Sequence, residues 1–134
     1  MNRGQRNKNP LNIRKSADRF DGEIVPSQDK AFKQFESYQY GYRAAFVILA
    51  TYNRRGWNTI EKIVSHWAPP TENHTKRYID FVEKASGIPK DEILHMEGDK
   101  EKYIRVVLAM SRMEIGEAYP VDAETGFSMQ KRLS

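Results

Sequence analysis

The chain must fold around one stretch, Tyr38 to Tyr52, which reads YQYGYRAAFVILATY. From Ala44 to Tyr52 it carries no charge, and Ala45, Phe46, Leu49 and Tyr52 follow Tyr38 and Tyr42 at spacings of three and four. That is the repeat of one helical face. Val47, Ile48 and Ala50 make the remaining faces apolar too, the pattern of a helix buried nearly all round. The apolar run is far too short to cross a bilayer. Ser37 offers an N-cap, and Arg54, Arg55 and Gly56 supply a basic last turn and a stop. A central core helix is therefore predicted, and every other element must supply its walls.

A chain of 134 residues with 39% hydrophobic and 30% charged side chains fits one soluble domain with a modest core. The absence of cysteine excludes disulfides and thiolate metal sites. His66, His74 and His95 have no ligand spacing, so no metal is expected. No Gly-rich phosphate loop is present, and no cofactor is expected. No apolar signal segment follows Met1, so no address for secretion is expected in the chain itself. The charge is uneven: residues 1–19 hold six Lys/Arg against Asp18, +5, while the remainder holds 16 basic and 17 acidic side chains, −1. Residues 1–8 (MNRGQRNK) read as a basic flexible arm ahead of a single domain, 9–134. Such an arm can attract nucleic acid, through residues 1–19, or an acidic partner.

Asn9 to Arg14 alternates polar and apolar residues behind Pro10 and reads as an extended segment. Glu23–Val25, halted by Pro26, and Ala31–Phe35 read as further short strands, together a small irregular antiparallel sheet. Beyond Gly56 the pattern is helical. Asn58 with Glu61 resembles a capping box, and Ile60, Ile63, Val64 and Trp67 line one face up to Pro69-Pro70. Asn73 is the expected cap of a helix with the stripe Tyr78, Ile79, Val82 and Ala85, ended by Gly87 and Pro89. A short helical turn is expected over Lys90–Met96. A longer helix opens at Gly98-Asp99, with Ile104, Val107, Leu108, Ser111 and Ile115 inward. Tyr119-Pro120 breaks it, leaving Asp122–Leu133 as a marginal terminal helix. The order is α+β, weighted toward α, with no βαβ alternation.

Two stretches carry a family resemblance. Arg6-Asn7-Lys8-Asn9-Pro10-Leu11-Asn12-Ile13-Arg14 resembles the RNNNPGNIR opening of a family of small phage and prophage virion structural proteins. Trp67-Ala68-Pro69-Pro70-Thr71-Glu72-Asn73-His74-Thr75 with Tyr78-Ile79 is similar to that family's WAPPxENxTxxYI signature. Leu11 and His74 depart from the pattern, which covers roughly residues 4–90. The family in turn distantly resembles lysozyme-like glucosaminidases. This implies a lysozyme-like domain, a small sheet near its N-terminus, a buried central helix, and peptidoglycan or another glycan as ligand. In those enzymes the catalytic glutamate ends a helix ahead of the Asn-rich strand, whereas residues 1–8 contain no acid.

The candidate acids are therefore Glu23 and Glu72. Glycan cleavage needs a carboxyl kept protonated by an apolar setting. Glu23, between Gly22 and Ile24 and near Phe20, is the expected general acid, with Glu72 or Asp21 as its ionised partner. Glu72 precedes the expected helix start, where the dipole favours the carboxylate. It is also the expected neighbour of Arg14. Asn9, Asn12, Arg14, Trp57, Asn73 and Tyr78 are the candidate glycan-binding residues, with Trp57 the exposed stacking surface and Trp67 assigned to the core. The expected function is a virion-associated phage or prophage protein engaging peptidoglycan-type glycan, as a glycoside hydrolase or a lytic transglycosylase-like enzyme. The alternative is a non-enzymatic virion component whose basic arm binds DNA or a capsid or tail subunit.

Overall fold

The computed structural model describes residues 1–68 and 71–132, and the side chains of Glu72, Lys131 and Arg132 lie outside that description. Eight elements follow in order: α1 (Arg3–Arg6), β1 (Glu23–Ile24), β2 (Gln34–Phe35), α2 (Tyr38–Arg54), α3 (Ile60–Trp67), α4 (Glu72–Ser86), α5 (Lys100–Ile115) and α6 (Pro120–Arg132). The fold is α+β and mostly helical, with one small antiparallel sheet.

The sheet is shorter than expected. β1 pairs β2 through Glu23 with Phe35 and Ile24 with Gln34, and the Asn9–Arg14 segment contributes a single bridge from Arg14 to Phe32. A buried ion pair closes this hairpin, Glu23 Oε2 to Lys33 Nζ at 2.9 Å.

Helix α2 starts where the sequence places it, with Ser37 Oγ accepting from the Tyr40 N–H. Tyr42, Ala44, Ala45, Phe46 and Leu49 are fully buried. The all-round burial expected of it is not observed: Val47, Ile48, Ala50 and Tyr52 stay partly exposed. Nor is α2 the most enclosed helix, since eight of the 16 residues of α5 are buried against seven of 17 in α2. The chief partner of α2 is α6, the segment expected to be marginal. Pro120 occupies its first turn, where a missing N–H costs nothing. Phe127 then meets Phe46 edge-to-face at 5.0 Å. Gly126 explains why the sequence made this helix look weak. A Cβ there would lie 2.8 Å from the Arg43 backbone nitrogen and 2.9 Å from the Gln39 carbonyl oxygen, so a residue that lowers helix propensity is what allows the two helices to touch.

Other boundaries shift by a residue or two. Thr59, not Asn58, caps α3 by accepting from the Lys62 N–H, while the Asn58 amide donates to the Leu94 carbonyl. Helix α4 begins at Glu72 behind Thr71, so Asn73 sits inside the first turn instead of capping it. Ala85 is exposed, and Ser86 takes its expected inward place. Lys90–Met96 forms turns and no helix. The stop expected at Pro69-Pro70 and the end expected at Leu133 lie outside the described residues.

Residues 1–8 are not a trailing arm. Asn2 and Gln5 form a reciprocal capping box for α1, and Gly4 is buried so tightly that a Cβ would meet Ile115 Cγ2 at 2.1 Å. Asn7 donates to Asp29 and its carbonyl accepts from the Phe35 N–H at 2.8 Å. Arg3 pairs with Asp29 at 2.7 Å and lies over the Phe32 ring. The Ala31 N–H, then Arg3, hold the Asp29 carboxyl well below the usual carboxylate range. The segment docks because α5 ends in carbonyls that need donors, and it supplies them.

The α2–α6 contact yields a prediction opposite to helix propensity. Gly126→Ala should destabilise by about 1–3 kcal/mol through overpacking, although alanine is the better helix former by roughly 1 kcal/mol. Urea denaturation of the two proteins checks the sign.

Candidate functional site

Helix α5 delivers a glutamate that the sequence reading passed over. Glu114 occupies its last turn, one residue before the terminal Ile115. Both carboxylate oxygens are engaged: Asn12 Nδ2 donates to Oε1 at 3.2 Å, and the Tyr78 hydroxyl donates to Oε2 at 3.0 Å. Asn12 Nδ2 also lies 3.2 Å from the Glu114 carbonyl oxygen, so it caps the helix and orients the side chain together. Asn12 holds a left-handed backbone, φ +50°, a conformation asparagine tolerates better than most residues.

The Glu114 carboxylate lines a groove of about 270 Å³ whose other walls include Asn12, Arg14, Phe32, Ile48, Tyr52 and Trp67. Among the described residues lining this groove it is the only acid. Burial pushes its carboxyl above the ordinary 4.5; the hydrogen bonds from Asn12 and Tyr78 and the charges of His74 and Arg14 oppose this without cancelling it. The carbonyl end of α5 acts in the same direction as burial, because the helix dipole disfavours negative charge there. Burial, with the Glu114 charge and hydrogen bond beside it, keeps the Tyr78 phenol protonated well above 10.0. The result is a half-buried carboxyl, fixed by neutral donors and facing an aromatic-walled groove, the setting a general acid requires.

The expected site residues divide sharply. Asn12 and Arg14 line the groove, and Tyr78 reaches it through its hydroxyl on Glu114. Arg14 is exposed, with its guanidinium over Phe32 at 4.9 Å. Asn9 is fully buried and wholly used by the fold: its amide donates to the Ile13 and Lys33 carbonyls and accepts from the Ile13 N–H. Asn73 is exposed on α4 and does not line the groove. Trp57 also lies outside it, stacked on His66 at 3.6 Å with Arg55 over the ring. The tryptophan on the groove is Trp67, whose indole N–H donates to the Leu11 carbonyl at 3.1 Å and so fixes the ring.

Glu23 was the expected acid because apolar neighbours would desolvate it. Its side chain is indeed 5% exposed, but its oxygens are taken by the Lys33 ammonium and the Phe20 N–H, and it does not line the groove. The Glu23 carboxylate is thus held within the hairpin by Lys33, apart from the groove that Glu114 lines. The Glu72 side chain, and with it the expected approach to Arg14, lies outside the described residues. Glu114 was missed because it sits over 100 residues from Asn12 and carries no local signature; only its place at a helix end, four residues before Ala118-Tyr119-Pro120, marked it.

The raised pKa has a consequence for stability. A folded-state value above the unfolded one means that the neutral form is favoured by folding, so this contribution is intact below about pH 4.5 and is lost as pH rises through the folded value. Glu114→Gln, which cannot ionise, should therefore gain melting temperature relative to wild type from pH 4 to pH 8. A difference that stays constant over that range would rule out the perturbed carboxyl.

No family model matches the chain. Protein P5 of Pseudoalteromonas phage PM2 is 41% identical over 118 residues, an alignment spanning 85% of this chain and 71% of P5. The expected relationship to phage proteins thus has support across most of the chain. This protein belongs to the family of the phage protein P5.

Proposed function

We propose that the protein is a phage virion component that binds a peptidoglycan-type glycan strand in the Glu114 groove and cleaves it by proton transfer from Glu114. The observation that carries this reading is the carboxyl itself, pushed toward its neutral form at a helix end and oriented by Asn12 and Tyr78 in an aromatic-walled groove. A lysozyme-like relationship fits the juxtaposition of a helix-ending glutamate with the Asn-rich segment, although here the helix comes from the opposite end of the chain.

In this scheme a sugar ring stacks against Tyr52 or Trp67, and Asn12 and Arg14 bind its polar substituents. Glu114 gives its proton to the glycosidic oxygen as the bond to the anomeric carbon breaks. The carboxylate left behind then takes a proton from the nucleophile that captures that carbon. The nucleophile in this scheme is water or a hydroxyl of the glycan itself. Microscopic economy of this kind, one residue serving as acid and then base, is established chemistry for glycoside cleavage. Tyr78 remains able to hydrogen-bond both forms, because a hydroxyl donates and accepts.

The test uses purified sacculi. Wild type should lower their turbidity, and Glu114→Gln should reduce the rate by about 10²–10⁴-fold, the usual worth of general acid catalysis, while still sedimenting with the sacculi. Sedimentation without lysis by wild type would leave a glycan binder and remove the enzyme. Failure of both would remove the glycan reading.

A further inference from the structure

The central helix carries a charge that the glycan reading does not use. Arg43 lies in α2 amid Tyr42, Ala44, Ala45 and Phe46, and its side chain is 9% exposed. Among the described residues its one ion pair is with Asp21, at 3.4 Å, and its Nε is buried with no hydrogen-bond partner. A guanidinium carries five donors, and leaving even one unmet in a desolvated site is costly. Asp21 does little to offset this, being 62% exposed and therefore strongly screened.

Arg43 lines a second cleft, of about 520 Å³, to which Arg19 and Arg55 bring two further cations and Asp18 and Asp21 two acids. This cleft and the Glu114 groove share Ile48 and Tyr52, so the two are neighbours across one wall of α2. The arrangement is a buried, under-satisfied arginine at the base of a cleft with net positive charge, beside a groove proposed to hold a sugar chain.

We infer that the Arg43 cleft is a subsite for a carboxylate borne on a peptide substituent of the glycan strand. This rests on the glycan reading above and specifies its substrate as strands that keep their stem peptides. The chemistry follows from the donors. A guanidinium meets a carboxylate through charge-assisted bonds, and the incoming carboxylate would take the place of exposed Asp21 on Arg43 Nη2. Asp18 and Asp21 suit the amine that a stem peptide carries alongside its carboxylates, a pairing that a phosphate or a purely anionic polymer would not offer. Exposed Asp21 is also free to yield its place on Arg43 to the incoming anion.

The experiment compares soluble glycan chains that retain stem peptides with the same chains after an amidase removes the peptides and the lactyl carboxylates so exposed are converted to amides. Binding to the full chain carrying Glu114→Gln is measured by calorimetry, so that cleavage does not intervene. The stem-bearing chains should bind roughly tenfold or more tightly, as expected for a charge-assisted contact. That ratio should collapse in Arg43→Lys, which keeps the charge and loses the fork, and shrink in Arg55→Ala. Arg55 is exposed, so its variant tests the site even if Arg43→Lys fails to fold. Equal binding of both glycans would overturn the subsite and leave the glycan groove standing. A preference unchanged by the variants would also overturn it, and binding of neither glycan would overturn the glycan reading beneath it.

Discussion

Helix α5 ends in carbonyl groups that no residue of its own can satisfy, and the molecule answers with donors from the far end of the chain. Asn2 Nδ2 lies 2.8 Å from the Ile115 carbonyl oxygen, Gln5 Nε2 lies 3.4 Å from the same atom, and Asn12 Nδ2 reaches the Glu114 carbonyl. Unpaired helix-end carbonyls in a buried setting are expensive, so these bonds give the first twelve residues a reason to be ordered. Everything at the candidate site depends on this closure. It holds Asn12 on the Glu114 carboxylate, Ile13 and Arg14 in the groove wall, and Phe32 behind them through the Arg14 bridge.

Asn9 makes the closure rigid. Its side chain is fully buried and joins Ile13 to Lys33, tying the N-terminal loop to the strand beside it with three hydrogen bonds. Gly41 then lets α2 come close beneath the loop: a Cβ there would lie 2.4 Å from the Lys8 carbonyl oxygen and 2.6 Å from Pro10 Cδ. The asparagines of the opening motif therefore serve different ends. Asn9 builds the wall and Asn12 faces the groove, although both read alike in the sequence.

What could be read in the sequence was what local physics determines. The apolar period of Tyr38–Tyr52, the serine before it and the glycine after it located α2, and the Gly87 stop located the end of α4 at φ +73°. What could not be read was long-range. Residues 1–8 are polar and basic, as a solvated tail would be, and long-range partners at the α5 terminus, Asp29 and Phe35 recruit them. Gly126 signalled a weak helix where it marks a close crossing. Glu23 looked like a desolvated acid because Ile24 and Phe20 are its neighbours in sequence, while the deciding neighbour, Lys33, lies ten residues away across the hairpin. Glu114 became visible only when folding brought its donors, Asn12 and Tyr78, from two separate motifs.

The unfulfilled burial of α2 connects the core to the site. A helix apolar on every face is expected to be enclosed on every face, yet Val47, Ile48 and Tyr52 remain partly open. Ile48 and Tyr52 form the shared wall of the two clefts, while Val47, Thr51 and Arg55 line only the second. The excess apolar surface is thus divided by function: Phe46 and Leu49 build the core with α6, and Ile48 and Tyr52 face outward toward the clefts. The two sides of that wall differ in their electrostatics. On one side, neutral donors hold Glu114 where burial favours its uncharged form; on the other, Arg43 is ion-paired with exposed Asp21 and keeps one nitrogen, Nε, without a hydrogen bond. A ligand that spans both must be neutral where it meets the carboxyl and anionic where it meets the guanidinium. The ligand proposed above, a sugar chain with an acidic substituent, has that distribution.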